Sequence, residues 1–168
     1  MDFDQTLRAV ADRQTITDLI YRYCRAMDRI DRELGYSIWH EGGTVDYGPH
    51  GFTGTARDFV DTVCRQHAGL TTHSHQMTNI IIELDGDRAG SESYVTATLR
   101  IEREGTLMQM SVLSRYVDRW SRLDGRWGID HRIAIMDMDE IRQVTPMKQH
   151  DRARRDRGDP SYAVLGGR

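Results

Sequence analysis

Apolar residues recur at Ile16, Leu19, Ile20, Tyr23 and Met27, a spacing that paints one stripe along a helix. Thr15, with Asp18 three positions on, resembles a capping box and predicts where that helix starts. Asp4 to Asp12, with Leu7 and Val10, predicts a shorter helix leading in. Asp31 to His40 predicts a second helical piece that buries Leu34, Ile38 and Trp39 and is ended by Gly42-Gly43. Thr44 to Tyr47 predicts a short strand, and the Gly48-Pro49-His50-Gly51 run a turn. Ala56 to His67 again shows helical spacing, with Phe59, Val60, Val63 and Cys64 on one side. Beyond it the pattern changes to alternation and β-branched runs. His73–Leu84, Arg88–Glu102, Leu107–Trp120 and Trp127–Met138 predict four long strands. They are separated by Asp85-Gly86-Asp87, Gly105 and Leu123-Asp124-Gly125-Arg126. Helices first and hairpin-linked strands after predict an α+β fold: a curved antiparallel meander with helices packed on one face.

Composition narrows the function classes. A chain of 168 residues is one domain by size, large enough to bury a proper core. Net charge is −3, with acidic and basic residues interleaved, so no electrostatic footprint for nucleic acid is present. No apolar run approaches the ~20 residues that span a bilayer, and the acidic start MDFDQTLRAV is unlike a signal peptide. A cytoplasmic protein is expected, with no membrane or nucleic-acid partner. Cys24 and Cys64 sit in separate helical segments, without a CxxC, and are expected to be reduced and buried. The boundaries expected are a domain over 1–141 and a tail over 142–168. That tail holds seven basic and three acidic residues, Pro146, Pro160 and a Gly-Gly-Arg end, and is mobile or ordered at a pocket or interface. Its Tyr162-Ala163-Val164-Leu165 cluster suggests a docking segment.

The candidate chemistry lies in a few polar residues. Asp28 ends the long helix at the margin of its apolar stripe, near Tyr21, Cys24 and Arg25. A carboxylate there pairs with Arg25 or Arg29, stands in solvent, or, facing a dry cavity, orients an imidazole or acts as a base. His73 and His75 place two rings on one face of the first long strand. Two such ligands can start a metal site. The further ligands are not close by, His67 and His131 being unconstrained, and no metal is expected. Tyr23 and Tyr47 are core aromatics or phenolic donors to a substrate oxygen. His131 falls in the alternation of Trp127, Ile129, Ile133 and Ile135, which predicts a core histidine. Arg132 then points to the other face as a candidate anion partner. Met108 and Met110 are wall packing or a flexible apolar pocket lining. No Gly-rich phosphate loop, Gly-x-Ser-x-Gly elbow or activated cysteine appears, so no cofactor is expected.

The run ITDLIYRYCRAMDRID from Ile16, then Trp39-His40-Glu41, Val45-Asp46-Tyr47-Gly48, THSHQMTNIIIELDGDRA and DGRWGIDHRIAIMDM, resembles the SnoaL-like branch of the nuclear transport factor 2-like superfamily. The likeness covers about Leu7 to Asp139. It implies a cone-shaped α+β barrel, a bent sheet wrapped by three helices around a pocket, in a homodimer or homotrimer. Within the superfamily, scytalone dehydratases, bile acid 7α-dehydratases and hexachlorocyclohexane dehydrochlorinases use a His–Asp pair. The resemblance places Asp28 and His75 in those roles, His75 opening the His-x-x-Thr-Asn-Ile segment, and leaves His73 a supporting one. Tyr23 resembles the helix tyrosine of the bile acid dehydratases, and Tyr47 a pocket tyrosine of scytalone dehydratase. The second strand histidine of scytalone dehydratase has no match, Ser93 and Tyr94 standing in its neighbourhood. Arg132 loosely resembles the dehydrochlorinase's late arginine.

The resemblance implies a cofactor-independent lyase acting on a mid-sized apolar or aromatic alcohol. Its reaction would be dehydration or retro-aldol-type loss of formaldehyde. His75, Asp28, Tyr23 and Tyr47 are the catalytic candidates. Arg132, Met108, Met110, His73 and Trp39 are the substrate-binding candidates. A ketosteroid-isomerase or polyketide-cyclase type of proton transfer, with Asp28 acting alone, is the alternative, and a non-catalytic ligand-binding module a third.

Overall fold

The computed structural model describes residues 2–147 and 152–165. One helix, α1 (Phe3–Arg29), replaces the two expected at the start. No glycine or proline interrupts it, so nothing breaks the backbone between Asp4 and Arg29. Asp2, not Thr15, caps it: the Asp2 side chain accepts from Gln5 N–H while the Gln5 side chain returns to the Asp2 backbone. Thr15 lies mid-helix and donates its hydroxyl to the Ala11 carbonyl. Ile16, Ile20, Tyr23 and Met27 form the buried face, as their spacing predicts.

The second helix is also shorter than expected. It runs as α2 (Arg32–Tyr36), and Trp39 and His40 belong instead to β1 (Trp39–Asp46). Gly42, Gly43, Thr44 and Val45 are poor helix formers, and a parallel partner strand is available. After β2 (Thr53–Thr55) comes α3 (Ala56–Ala68), which packs on α2. That approach requires Gly35: a Cβ there would stand 2.9 Å from Val60 Cγ1.

The four long strands are β3 (Thr72–Asp85), β4 (Arg88–Arg103), β5 (Thr106–Leu123) and β6 (Arg126–Gln143). The sheet order is β2-β1-β6-β5-β4-β3, antiparallel except for β1 against β6. It is an open six-stranded sheet with β2 and β3 at its edges, not a closed barrel, and α1 packs against β3 across one face. Register shifts in the β1–β6, β3–β4 and β5–β6 ladders bend it. Residues Asn79–Ile80 leave the β3–β4 ladder, with Asn79 at φ 48°, and Asp130 and Asp137 are the extra residues on β6.

The strand β6 runs beyond the expected domain end at 141. A fourth short helix, α4 (Pro160–Val164), lies in the tail. The tail's Gly166-Gly167-Arg168 end and 148–151 lie outside the described residues. No described helix is long and apolar enough to cross a membrane.

Candidate active site

The last turn of α1 and the start of β3 meet at Asp28 and His75. One Asp28 oxygen, Oδ1, accepts from His75 Nδ1 at 2.7 Å, and both carboxylate oxygens accept from the His75 backbone N–H at 3.0 and 3.1 Å. A carboxylate only accepts, so Nδ1 carries the imidazole hydrogen and Nε2 presents its lone pair. The side chains are 7% and 14% exposed, dry enough to strengthen the bond without sealing the site. Asp28 is thus neither solvated nor paired with Arg25 or Arg29. Those arginines turn to the tail: Arg25 Nη1 donates to Ser161 Oγ at 2.8 Å, and Arg29 Nε lies 3.4 Å from Asp159 Oδ2.

Two further imidazoles surround the pair. His73 donates from Nε2 to the Met27 carbonyl at 3.0 Å, and its ring lies 4.3 Å from that of His67. The His67 ring, in the last turn of α3, is 5.4 Å from that of His75. Both His67 and His73 are buried, and their Nδ1 atoms have no partner among the described residues. Burial, then the neighbouring imidazoles, pulls the His67 pKa down to about 3. Burial lowers that of His73. These two rings are therefore neutral at neutral pH. His67 is a site residue that sequence reasoning left unplaced; its position on the buried side of α3 was the available signal. Among the described residues, no group of three or more His, Cys, Asp or Glu side chains is arranged to hold a metal ion.

Register places an apolar wall beside the dyad. Cross-strand partners share a face, so His75 stands in one row with Ala97, Val112 and, at the exposed β6 end, Asp139, and His73 in the next with Leu99, Met110 and Ile141. Met108 pairs with Ile101 one row further on the same face. On the other side of the dyad row lies Met77–Val95–Ser114–Met136, and beyond it Ser93–Tyr116–Ala134. Met136 and Ile141 are 62% and 52% exposed, so this end of the face is open.

A polar cluster closes the other end. Tyr23 and Tyr47 hydroxyls are 3.2 Å apart, and the Tyr23 and Tyr116 rings pack edge to face. Arg132 is fully buried, its guanidinium 4.2 Å from the Tyr23 ring centroid, 4.1 Å from that of Tyr116 and 5.4 Å from that of Trp39. Its Nε and Nη2 donate to the two oxygens of Asp118 at 2.7 and 2.8 Å, across the β5–β6 register. Burial pulls the guanidinium pKa down, but the Asp118 carboxylate more than offsets it and holds the arginine well above its ordinary value. Burial raises the pKa values of Tyr23, Tyr47 and Tyr116, so all three remain phenols and hydrogen-bond donors. Arg132 Nη1 and Ser93 Oγ are buried with no partner among the described residues.

The expected assignment of His131 and Arg132 is reversed. His131 is half-buried, its Nδ1 2.8 Å from Thr44 Oγ1, while Arg132 faces the core. The bulge at Asp130 inserts one residue, and the side chains from His131 to Met136 change face until the second bulge at Asp137 restores the alternation.

A SnoaL-like domain model matches residues 8–133. No curated protein matches significantly. Among solved structures, a scytalone dehydratase-like protein of Novosphingobium aromaticivorans is 22% identical, covering 87% of this chain and 99% of that one at a TM-score of 0.71. The hexachlorocyclohexane dehydrochlorinase LinA-type3 of Novosphingobium barchaimii is 20% identical over 86% and 98%, TM-score 0.67. A Mycobacterium tuberculosis protein of unknown function is 25% identical over 76% and 77%, TM-score 0.64.

Proposed function

Because this chain belongs to the SnoaL-like domain family of the nuclear transport factor 2-like superfamily, we propose that it is a lyase whose His75–Asp28 dyad removes a proton from a mid-sized apolar or aromatic alcohol. The observation that carries the reading is the 2.7 Å bond from His75 Nδ1 to Asp28, which leaves Nε2 as the base. Asp28 fixes the tautomer and stabilises the imidazolium that forms. Acid/base placement of this sort contributes ~10²–10⁴ in rate.

The far end of the site supplies the complementary role. Tyr23 stands five residues before Asp28, about 7.5 Å along the helix axis, and an apolar row containing Met77 and Val95 lies between the dyad row and the row of Tyr116. A substrate with a ring between base and donors fits this order. In dehydration His75 takes a C–H proton, its electron pair forms the new C=C bond, and the C–O bond breaks. The departing hydroxyl takes a proton from a donor of the Tyr23–Tyr47 pair and leaves as water, and the imidazolium returns a proton to the resulting phenolate through solvent. In the carbon–carbon analogue, on a propanediol, His75 takes the terminal hydroxyl proton and that O–H pair forms the aldehyde C=O as the adjacent C–C bond breaks. The C–C pair forms the new C=C bond as the second hydroxyl leaves, protonated by the Tyr23–Tyr47 pair, as water. Arg132 Nη1, held by the Asp118 pairing and without a partner among the described residues, stabilises oxygen that gains charge. The apolar side chains of Met108 and Met110 line the open end, and His73 holds the α1 end through Met27.

The test is a panel of aryl alcohols and aryl propanediols incubated with the protein and followed for a conjugated alkene or a free aldehyde. One of the two is expected. Proton exchange beside a carbonyl without either product would replace this reading with the isomerase one.

A further inference from the structure

Tyr116 is the third phenol of the polar cluster, and the proton transfers of the dyad and the Tyr23–Tyr47 pair do not use it. It lies on β5, in the inner-face row Ser93–Tyr116–Ala134. Its ring stands edge-on to that of Tyr23, 5.7 Å between centroids, and to that of Tyr47 at 6.0 Å. The Arg132 guanidinium carbon is 4.1 Å from its centroid. Contacts with three neighbours restrict the ring, so the position of its hydroxyl is set before any substrate arrives.

Hydrogen-bond accounting separates Tyr116 from the other two phenols. The Tyr23 and Tyr47 hydroxyls are 3.2 Å apart, so one O–H of that pair is spent on the other oxygen and one is left over. The Tyr116 hydroxyl has no hydrogen-bond partner of ordinary geometry among the described residues, the Tyr47 ring beside it notwithstanding. Burial, then the neighbouring Tyr47, holds its pKa well above the ordinary value, so it keeps its proton. Tyr116 is 6% exposed, and its oxygen, unlike Ser93 Oγ in the same row, is not sealed. A phenol in that state offers its O–H to a ligand oxygen. The row of Met77, Val95 and Ser114 separates it from the dyad row, the same interval that the substrate ring would fill.

We propose that Tyr116 is a further catalytic residue, whose O–H donates a hydrogen bond to the departing oxygen while the Tyr23–Tyr47 pair delivers the proton. The inference rests on the lyase reading above. An alcohol oxygen carries two lone pairs, and the two donors take one each. Tyr116 keeps its own proton throughout and stabilises the charge that gathers on the oxygen as the C–O bond lengthens.

The experiment compares the full chain with Tyr116→Phe, which keeps the ring against Arg132 and removes only the hydroxyl. One substrate is the best alcohol of the panel, and the other is its analogue with chloride in place of the departing hydroxyl, a group that leaves without a proton. Circular dichroism checks the fold. On the alcohol, kcat is expected to fall ~10²-fold, with KM changed less than ~3-fold. On the chloride the loss in kcat is expected to stay under ~5-fold, because that leaving group needs the donor far less. Equal losses on the two substrates, or a rise in KM alone, mark a packing or binding role and overturn the proposal. Full turnover of the alcohol by the folded variant also overturns it and leaves the lyase reading standing. A parent chain that turns over neither substrate overturns the lyase reading, and this inference with it.

Discussion

His67 shows what burial does to an imidazole. Its neighbours are His73, His75, the Asp28 carboxylate and the tail's Arg155, whose Nη1 donates to the His67 carbonyl at 2.7 Å. With the folded pKa near 3 and the unfolded one near 6.5, the unfolded chain binds more protons between those values. Stability therefore falls as pH drops from about 6.5 toward 3, and this contribution is harmless above that range. His67→Phe keeps a ring and removes the proton site, so its thermal midpoint is expected to decline less steeply below pH 6.5 than that of the parent. Equal slopes in a melting series would refute the assignment. The Asp28–His75 pairing was implied by the family resemblance; the residues alone left Asp28 to Arg25, Arg29 or solvent and did not separate His75 from His73, and the 2.7 Å bond now joins the two. The burial of Arg132 was not legible: a period-two pattern read across the Asp130 bulge puts it on the wrong face. Nor was its pairing with Asp118, which depends on a register between strands. That pair sets two desolvation penalties of several kcal/mol each against a bidentate contact and two aromatic faces.

At the scale of elements, the long strands and α3 were legible because their periods are regular and glycine turns bound them. The early helices were misdivided for opposite reasons. α1 continues through an exposed polar stretch in which Leu7 and Val10 contribute no core, and the second helix is cut short where Trp39 finds a place beside β6. The described tail, 152–165, docks on the ends of α1 and α3. Tyr162 is buried, donates to Asp31 Oδ2 at 2.8 Å and lies beneath Arg25, whose Cζ is 4.5 Å from the ring centroid. Contacts on either side of Asp28 thus pass through the segment whose Tyr162–Leu165 cluster suggested docking in sequence. Tyr162→Ala removes a buried ring and one hydrogen bond, a local loss of roughly 2–4 kcal/mol. Amide exchange at the C-terminal turns of α1 and α3 is expected to accelerate accordingly. Exchange there that does not change would show that the tail rests on the helices without restraining them.

The whole molecule joins two regions that neither helices nor sheet could build alone. The helix end brings a carboxylate to a strand histidine, and the curved sheet sets an apolar wall between that dyad and a buried cluster of phenols around Arg132. The fold class and the helix-before-strand order were visible in the chain. The depth at which each polar group sits depends on bulges and register, and was not. Proton transfer by the dyad is the central claim, and the most direct test is turnover of a substrate found in the alcohol panel by Asp28→Asn and His75→Gln, with circular dichroism confirming the fold. Each variant is expected to lose ~10²–10⁴ of the rate, and the double variant little more, because the two residues act as one unit. Full turnover in either folded variant would contradict the account.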